Sequence, residues 1–346
     1  DKCLGCTNCI KRCPTEAIRV REGKAQIISE RCIDCGECIR VCPHHAKKAR
    51  YDHLSVLEGW KYKIAIPAPA LFGQFNNLDD IDIVLTGLKQ MGFDDVYEVS
   101  RGAELVSDAT RKLMADGRLP KPVISSACPA VVRLIRVRFP DLCDHVLNLN
   151  APMEVSAMMA KRAASERTGI PIEEIGAFFI TPCPAKVTDI KMPIGTEGSW
   201  CDGAIAISEV FPLLSHRMDK LETVEPIGQS GLIGVSWAGS GGESAALLNE
   251  KYLAADGIEN VIRVLEELED ERIRELDFVE LNACSGGCVG GVLCVENGYV
   301  AKARLQRLRK YLPVSQNHLD GGVPRDMEWT EPLEFAPVLK LSQNLE

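Results

Sequence analysis

Near its start the chain carries one unusual spacing twice. Cys3, Cys6, Cys9 and Cys13 are followed by Pro14, and Cys32, Cys35, Cys38 and Cys42 by Pro43, so both runs read C-x2-C-x2-C-x3-C-P. Thiols this dense are either stapled as disulfides or gathered on metal. The chain has 346 residues and 15 cysteines, an odd number. A chain of this length buries a sizeable core without staples. Asp1–Lys2–Cys3 shows no apolar signal-peptide core, so the expected setting is the reducing cytoplasm, where thiolate–metal chemistry is the alternative. Zinc knuckles match poorly, because they set four ligands in two pairs and lack a trailing Cys-Pro.

The spacing is that of bacterial two-cluster ferredoxins. Three thiolates two residues apart can wrap one 4Fe–4S cubane, because so tight a loop aims successive sulfurs at a common centre. The fourth lies on a following helical turn that points away and ligates the other cubane. This assigns Cys3, Cys6, Cys9 and Cys42 to cluster one, and Cys32, Cys35, Cys38 and Cys13 to cluster two. Between the runs, Ala17–Val20 and Ala25–Ile28 alternate around Glu22–Gly23 as a small hairpin would. The expectation is an α+β two-cluster ferredoxin module over residues 1–55, which carries electrons rather than substrate. A balance of 40 Lys+Arg against 49 Asp+Glu, net −9, argues against nucleic acid as a partner. No apolar run approaches the roughly 20 residues of a membrane span.

From residue 60 onward the pattern changes to α/β. Lys61–Ile66, Asp95–Val99, Pro122–Ser126, Ile175–Thr181, Gly203–Ile207 and Asp277–Leu281 read as short buried strands. Asp79–Met91, Ala103–Asp116, Pro152–Thr168 and Glu243–Ala255 read as helices between them, and Ile258–Glu275 as a charged surface helix. Three strands run into a cysteine motif: Ala127–Cys128–Pro129, Pro182–Cys183–Pro184–Ala185–Lys186, and Cys284–Ser285–Gly286–Gly287–Cys288–Val289–Gly290–Gly291. Sites in open α/β sheets assemble beyond the carboxyl ends of strands. Four thiolates can thus meet at one point, with glycines letting backbone approach a bulky inorganic group.

Together these motifs resemble the iron-only (FeFe) hydrogenases over nearly the whole chain. The family patterns T-S-C-C-P, M-P-C-x-x-K-x-x-E and E-x-M-x-C-x-G-G-C-x-x-G-G correspond to Ser125–Pro129, Thr181–Asp189 and Glu280–Gly291. The resemblance implies an α/β H-cluster domain over residues 60–346. Its H-cluster is a 4Fe–4S cubane joined to a two-iron unit bearing CO, cyanide and a bridging azadithiolate. It implies Cys128, Cys183, Cys284 and Cys288 as cubane ligands, with Cys288 the bridge. It also implies Lys186 as donor to a cyanide, and Ala68–Pro69–Ala70, Pro182 and Gly287 as backbone embracing the unit. The implied substrates are H2 and protons, with a redox partner protein or a downstream signalling domain taking the electrons; homodimerisation is left open.

The departures matter as much. Ala127 stands where turnover-efficient members carry a proton-relaying cysteine, and a methyl group cannot carry a proton. Thr181 and Asn282 replace two methionines and are expected to make the pocket more polar. Thr110 and Leu113 stand where efficient members carry proton-path glutamates. Intact ligands with a broken relay resemble the sensory, PAS-linked branch, which implies slow, reversible H2 conversion in the service of sensing. The alternative is a non-catalytic multi-cluster electron-transfer or assembly protein without the two-iron unit. Starting at Asp1 without Met, and ending at Val338–Glu346 within what reads as an amphipathic helix, the chain is expected to be a fragment of a longer protein.

Some residues read blandly. Cys143, Cys201 and Cys294 fit no motif and are expected as incidental thiols. His44 and His45 are expected to face solvent, Gly239–Gly242 to form a packing turn near the H-cluster, and Met158–Met159 to lie in the core. Glu154 reads as an ordinary helix-start charge and Asp189 as a salt-bridge partner.

Overall fold

The computed structural model describes residues 2–337. In its first unit β1 (Ile18–Arg21) pairs antiparallel with β2 (Lys24–Ile27), Ile18 opposite Ile27 and Arg21 opposite Lys24. Glu22 and Gly23 both have positive φ, 50° and 73°, as a two-residue hairpin turn requires to match the strand twist. The two cysteine runs fold alike. Each enters a one-turn helix, Asn8–Lys11 or Glu37–Arg40, behind a left-handed residue, Thr7 or Gly36. Each leaves through another, Glu16 or His45. Ala17 N donates to Cys13 Sγ at 3.2 Å, and Ala46 N to Cys42 Sγ at 3.3 Å, the same bond in both runs. The sequence repeat is therefore a backbone repeat.

Two parallel sheets follow. The first comprises β3 (Tyr62–Pro67), β4 (Asp95–Val96), β6 (Ile175–Thr181) and β7 (Gly203–Ala206), in the order β4-β3-β6-β7. The second comprises β5 (Val123–Ile124), β8 (Tyr252–Asp256) and β9 (Phe278–Asn282), in the order β5-β9-β8. All seven residues of β6 are buried, the continuous apolar run of a strand covered on both faces. Helices supply the covers. Ala160 and Ala164 of the Pro152–Thr168 helix pack with Ile64, Ala177 and Phe179, while Val261 and Leu265 of the Ile258–Glu269 helix pack with Val279 and Leu281.

Several expected elements come out differently, among them Pro122–Ser126, a strand only over Val123–Ile124. Asp95–Val99 is a strand only over Asp95–Val96, because Val99 begins the Val99–Ala115 helix. The helix expected over Glu243–Ala255 stops at Ala246; Leu248 turns left-handed (φ 56°), and Tyr252–Asp256 becomes β8 beside β9. The Ile258–Glu275 helix ends at Glu269, before left-handed Glu271, and it is amphipathic, burying Ile258, Val261, Leu265 and Leu268. The helical pattern read over Val338–Glu346 lies outside the described residues.

The cysteine-rich unit is built into the rest. Thr188 Oγ1 donates to Asp34 Oδ2 at 2.9 Å, Arg40 Nη1 to Gly290 O at 2.9 Å, and Arg138 Nη1 to Pro14 O at 3.2 Å. Ile33 and Cys35 join the same apolar cluster as Cys128 and Cys183. Cluster two's loop is thus the part of the first unit that faces the α/β domain.

Candidate metal centres

The structure gathers the cysteines of the first unit as two quartets. Cys3, Cys6 and Cys9 line one small cleft with Cys42, Ala46 and Lys47. Cys35 has Cys38, Cys13 and Cys32 as its charged neighbours. Each run's fourth cysteine therefore crosses over to the other run's three. The first quartet is the outer one: Cys6 is exposed and Leu4 is 71% exposed. The second is more enclosed, and burial pushes the thiols of Cys32 and Cys38 up to about 12 and 11. His45 is exposed as expected, whereas His44 is half-buried against the first cleft.

A third quartet forms in the α/β domain. β5 leads to Cys128 and β6 to Cys183, each at the N-cap of a helix that opens with Pro129 or Pro184; proline suits that first turn because its missing N–H has no partner there anyway. β9 leads to Cys284 and Cys288. β5 and β9 adjoin in one sheet and β6 is central in the other, so both sheets aim carboxyl ends at one place. There Cys183 and Cys288 have Cys284 and Cys128 as charged neighbours. Burial pushes Cys284 up to about 11, against the Arg40 guanidinium, and drives Cys183 and Cys288 higher.

These thiols fit iron–sulfur cubanes. Alone, buried thiols resist ionisation, and ionised together they repel; metal supplies the compensating charge. Among the described residues no three His, Cys, Asp or Glu side chains form a group that could hold a single metal ion. Lys186 fits an anionic ligand beside the third quartet. Its charge acts on Cys183 and Cys288, and among the described residues its ammonium has no hydrogen-bond or ion-pair partner.

The surrounding loops are locked by backbone contact. A Cβ on Gly287 would lie 2.4 Å from Ser240 N, and one on Gly291 would lie 2.2 Å from Pro182 O. The glycines thus let loops approach one another closely. Ser240 N donates to Gly286 O at 3.0 Å, so Gly239–Gly242 is the packing turn its sequence suggests. Ala68 and Ala70 are buried after β3, and Ala68 N donates to Ile180 O at 3.2 Å. Gln74, which sequence reasoning missed, donates to Ala70 O at 2.9 Å and accepts from Val295 N and Glu296 N, both at 2.9 Å. One buried amide thereby joins the Ala68–Ala70 turn to the loop behind Cys288.

The polar substitutions are engaged rather than free. Thr181 Oγ1 donates to Cys183 O at 3.0 Å and accepts from Cys183 N at 3.2 Å. Asn282 Nδ2 donates to Glu280 Oε1 at 2.9 Å. Thr181 thereby braces the loop that carries Cys183, and Asn282 holds the carboxylate of Glu280 on its own strand. Thr110 donates to Val106 O at 2.8 Å within its own helix.

A carboxyl pair absent from the sequence reading stands behind Ala127. Glu280 accepts from Gly241 N and Ser244 N, both at 2.9 Å. Glu243 accepts from Ser125 Oγ at 2.6 Å, and Ala127 N donates to Ser125 Oγ at 3.1 Å. Burial first, and the Glu280 charge second, push Glu243 up to about 8. The available signal was a glutamate inside the apolar run Phe278–Leu281. Glu154 is half-buried, accepting from Ser199 Oγ at 2.6 Å and Trp200 N at 2.7 Å. It is the helix-start charge expected, in the first turn of the Pro152–Thr168 helix, and it also clamps the Ser199–Trp200 loop. Asp189 lies 3.9 Å from Arg133, at the limit of an ion pair. Cys143 and Cys201 are buried, and Cys294 Sγ lies 3.7 Å from Cys288 O. Met158 is core, but Met159 is 39% exposed.

This fold and these quartets place the chain in a known class. The family model for the iron-only hydrogenase large subunit, C-terminal domain, matches residues 61–252 and 243–292, and a 4Fe-4S dicluster domain matches residues 1–43. The chain belongs to the iron-only hydrogenase family. It is 22% identical over 345 residues to the NADP-reducing hydrogenase subunit HndD of Solidesulfovibrio fructosivorans, covering 84% of this chain and 55% of that one. It is 29% identical over 99 residues to the cytosolic Fe-S cluster assembly factor nar1 of Aspergillus terreus, 28% of this chain and 16% of that one. A solved variant of the FeFe-hydrogenase HydA1 from Chlamydomonas reinhardtii shares the fold, with TM-score 0.57, 18% identity, and coverage of 78% of this chain and 86% of that one. The chain spans about half the length of the curated hydrogenases it matches. Among the described residues no helix is long and apolar enough to cross a membrane.

Proposed function

We propose that the chain is an FeFe hydrogenase of slow turnover, interconverting H2 with protons and electrons at an H-cluster and serving as an H2 or redox sensor. The observation that carries the reading is the half-buried Cys128–Cys183–Cys284–Cys288 quartet beyond β5, β6 and β9, with the unpartnered Lys186 beside it. Cys128, Cys183, Cys284 and Cys288 would hold the cubane, with Lys186, Ala68–Pro69–Ala70, Pro182 and Gly287 around the two-iron unit. When bound, the group supplies an open Lewis-acidic iron and an internal base. The chain supplies the rest. Lys186 offers a positive charge from a half-buried position, suited to a charge-assisted bond. Glu243 holds a proton near neutral pH, hydrogen-bonded to Ser125, whose Oγ meets the Ala127 peptide. With a methyl at Ala127, proton delivery lacks its last side chain, so turnover slows while gas binding and cluster redox chemistry persist.

Electrons would cross from the third quartet to the second and leave at the first. Lys24 and Lys47 both act on Cys3 at that outer cleft, so its rim suits an acidic redox protein, with a downstream signalling domain as the alternative recipient.

The test is an infrared spectrum of anaerobically matured chain before and after exposure to H2. Metal-bound CO and cyanide bands that shift under the gas, with slow turnover, support the reading. The match to an iron–sulfur assembly factor favours a second reading, a multi-cubane protein without the two-iron unit. Absence of those bands after maturation would establish it.

A further inference from the structure

We propose that Arg40 is an electrostatic positioning residue for electron transfer: its fixed charge, held between the second and third quartets, favours reduction of a cubane in the third, and Glu37 opposes it. The inference rests on the reading of these quartets as cubane sites.

The geometry puts one cation in each gap of the line. Lys47 stands between the first and second quartets, where its Nζ donates to Ala25 O at 2.7 Å. Its charge acts on Cys3 and Cys9 of one and on Cys38 of the other. Arg40 ends the Glu37–Arg40 helix, midway in sequence between Cys38 and Cys42. Its side chain leaves its own unit, and Nη1 donates to Gly290 O at 2.9 Å, just past Cys288. There the guanidinium rests on the Cys284–Gly291 loop. Nε donates to Glu37 Oε2 at 3.3 Å. Glu37 is only 8% exposed, so its carboxylate stands beside that guanidinium as the opposing charge. Its other oxygen lies 3.5 Å from Arg12 Nε, so the pair is held from behind.

The chemistry is the transfer of one electron from a reduced cubane in the second quartet to an oxidised one in the third, with no bond made or broken. The accepting cluster gains negative charge, which a nearby cation stabilises and a nearby carboxylate opposes. A guanidinium does not lose its proton in proteins, so the bias is independent of pH.

The experiment is a redox titration followed by electron paramagnetic resonance on the cluster-loaded chain. The wave lost in Cys284→Ala identifies the third cubane. Arg40→Gln should shift that cubane's reduction equilibrium about tenfold toward the oxidised form, about 59 mV for one electron. Arg40→Lys should restore most of the shift. Glu37→Gln should move the same wave the other way, a sign that loosening the contact between the units would not produce. An unmoved wave in Arg40→Gln, or shifts of one sign in both neutralising variants, overturns the proposal alone. A wild-type chain that forms no cubane overturns the reading of the quartets along with it.

Discussion

Ser125 Oγ and Glu243 Oε2 lie 2.6 Å apart, the shortest link between the Ala127 segment and the buried Glu243–Glu280 pair. Because burial raises Glu243 from the ordinary carboxylate range to about 8, the folded chain binds that proton more tightly than the unfolded one. The resulting stability is complete below the unfolded pKa and is lost as pH rises through 8. Glu243→Gln mimics the neutral acid. It should match wild type near pH 5 and exceed it near pH 9, by about 1–4 kcal/mol. Urea denaturation at the two pH values checks this. An advantage that is equal at both would mean that Glu243 ionises normally.

If the missing thiol limits turnover, Ala127→Cys should raise H2 evolution by the matured chain, by roughly tenfold or more given the usual size of a general acid–base contribution. Ala127→Val, of similar bulk and without a proton, should not. A rate unchanged in Ala127→Cys would place the slow step elsewhere.

Lys186 should decide retention of the two-iron unit rather than of the cubane. Lys186→Met keeps the length of the stem and removes the charge. Matured Lys186→Met should lose most of its CO and cyanide infrared bands while its cubane signal persists. Bands of wild-type intensity would remove the anchoring role.

The site was more legible than the sheets around it. Cysteine spacing is set by ligand geometry over a few residues, so both N-terminal runs could be read directly, down to the hairpin turn at Glu22–Gly23. β6 was equally clear, because seven buried residues leave an uninterrupted apolar run. β8 was not: Ala254 and Ala255 are as suited to a helix as to a strand, and only pairing with Glu280 and Leu281 on β9 decides between them. Glu243 was hidden for a related reason. Its partner Ser125 lies over a hundred residues away, and nothing local distinguishes a buried acid from a helix-start charge. Gln74 and Arg40 likewise act only through contacts made after the units close.

Gly291 offers a test of how tightly the third quartet is built. Its φ is −62°, an ordinary value, so alanine carries no backbone penalty there. The obstacle is space: a Cβ would lie 2.2 Å from Pro182 O and 3.1 Å from Cys288 O. Both are backbone atoms and cannot rotate aside. Gly291→Ala must therefore push the Cys288 loop away from the end of β6, which carries Cys183, at a cost of about 1–3 kcal/mol if the fold survives. The two quartets of the first unit lie outside this contact and should still fill. Iron per chain should then fall by about one cubane in three, with the N-terminal cubane signals intact. Gly23→Ala is the matching control: its Cβ meets nothing within 4 Å and suffers only its left-handed φ of 73°, a strain of roughly 1 kcal/mol. Full iron loading in Gly291→Ala would show that the Cys288 loop can yield, and that the close backbone packing around it is not what holds the quartet together.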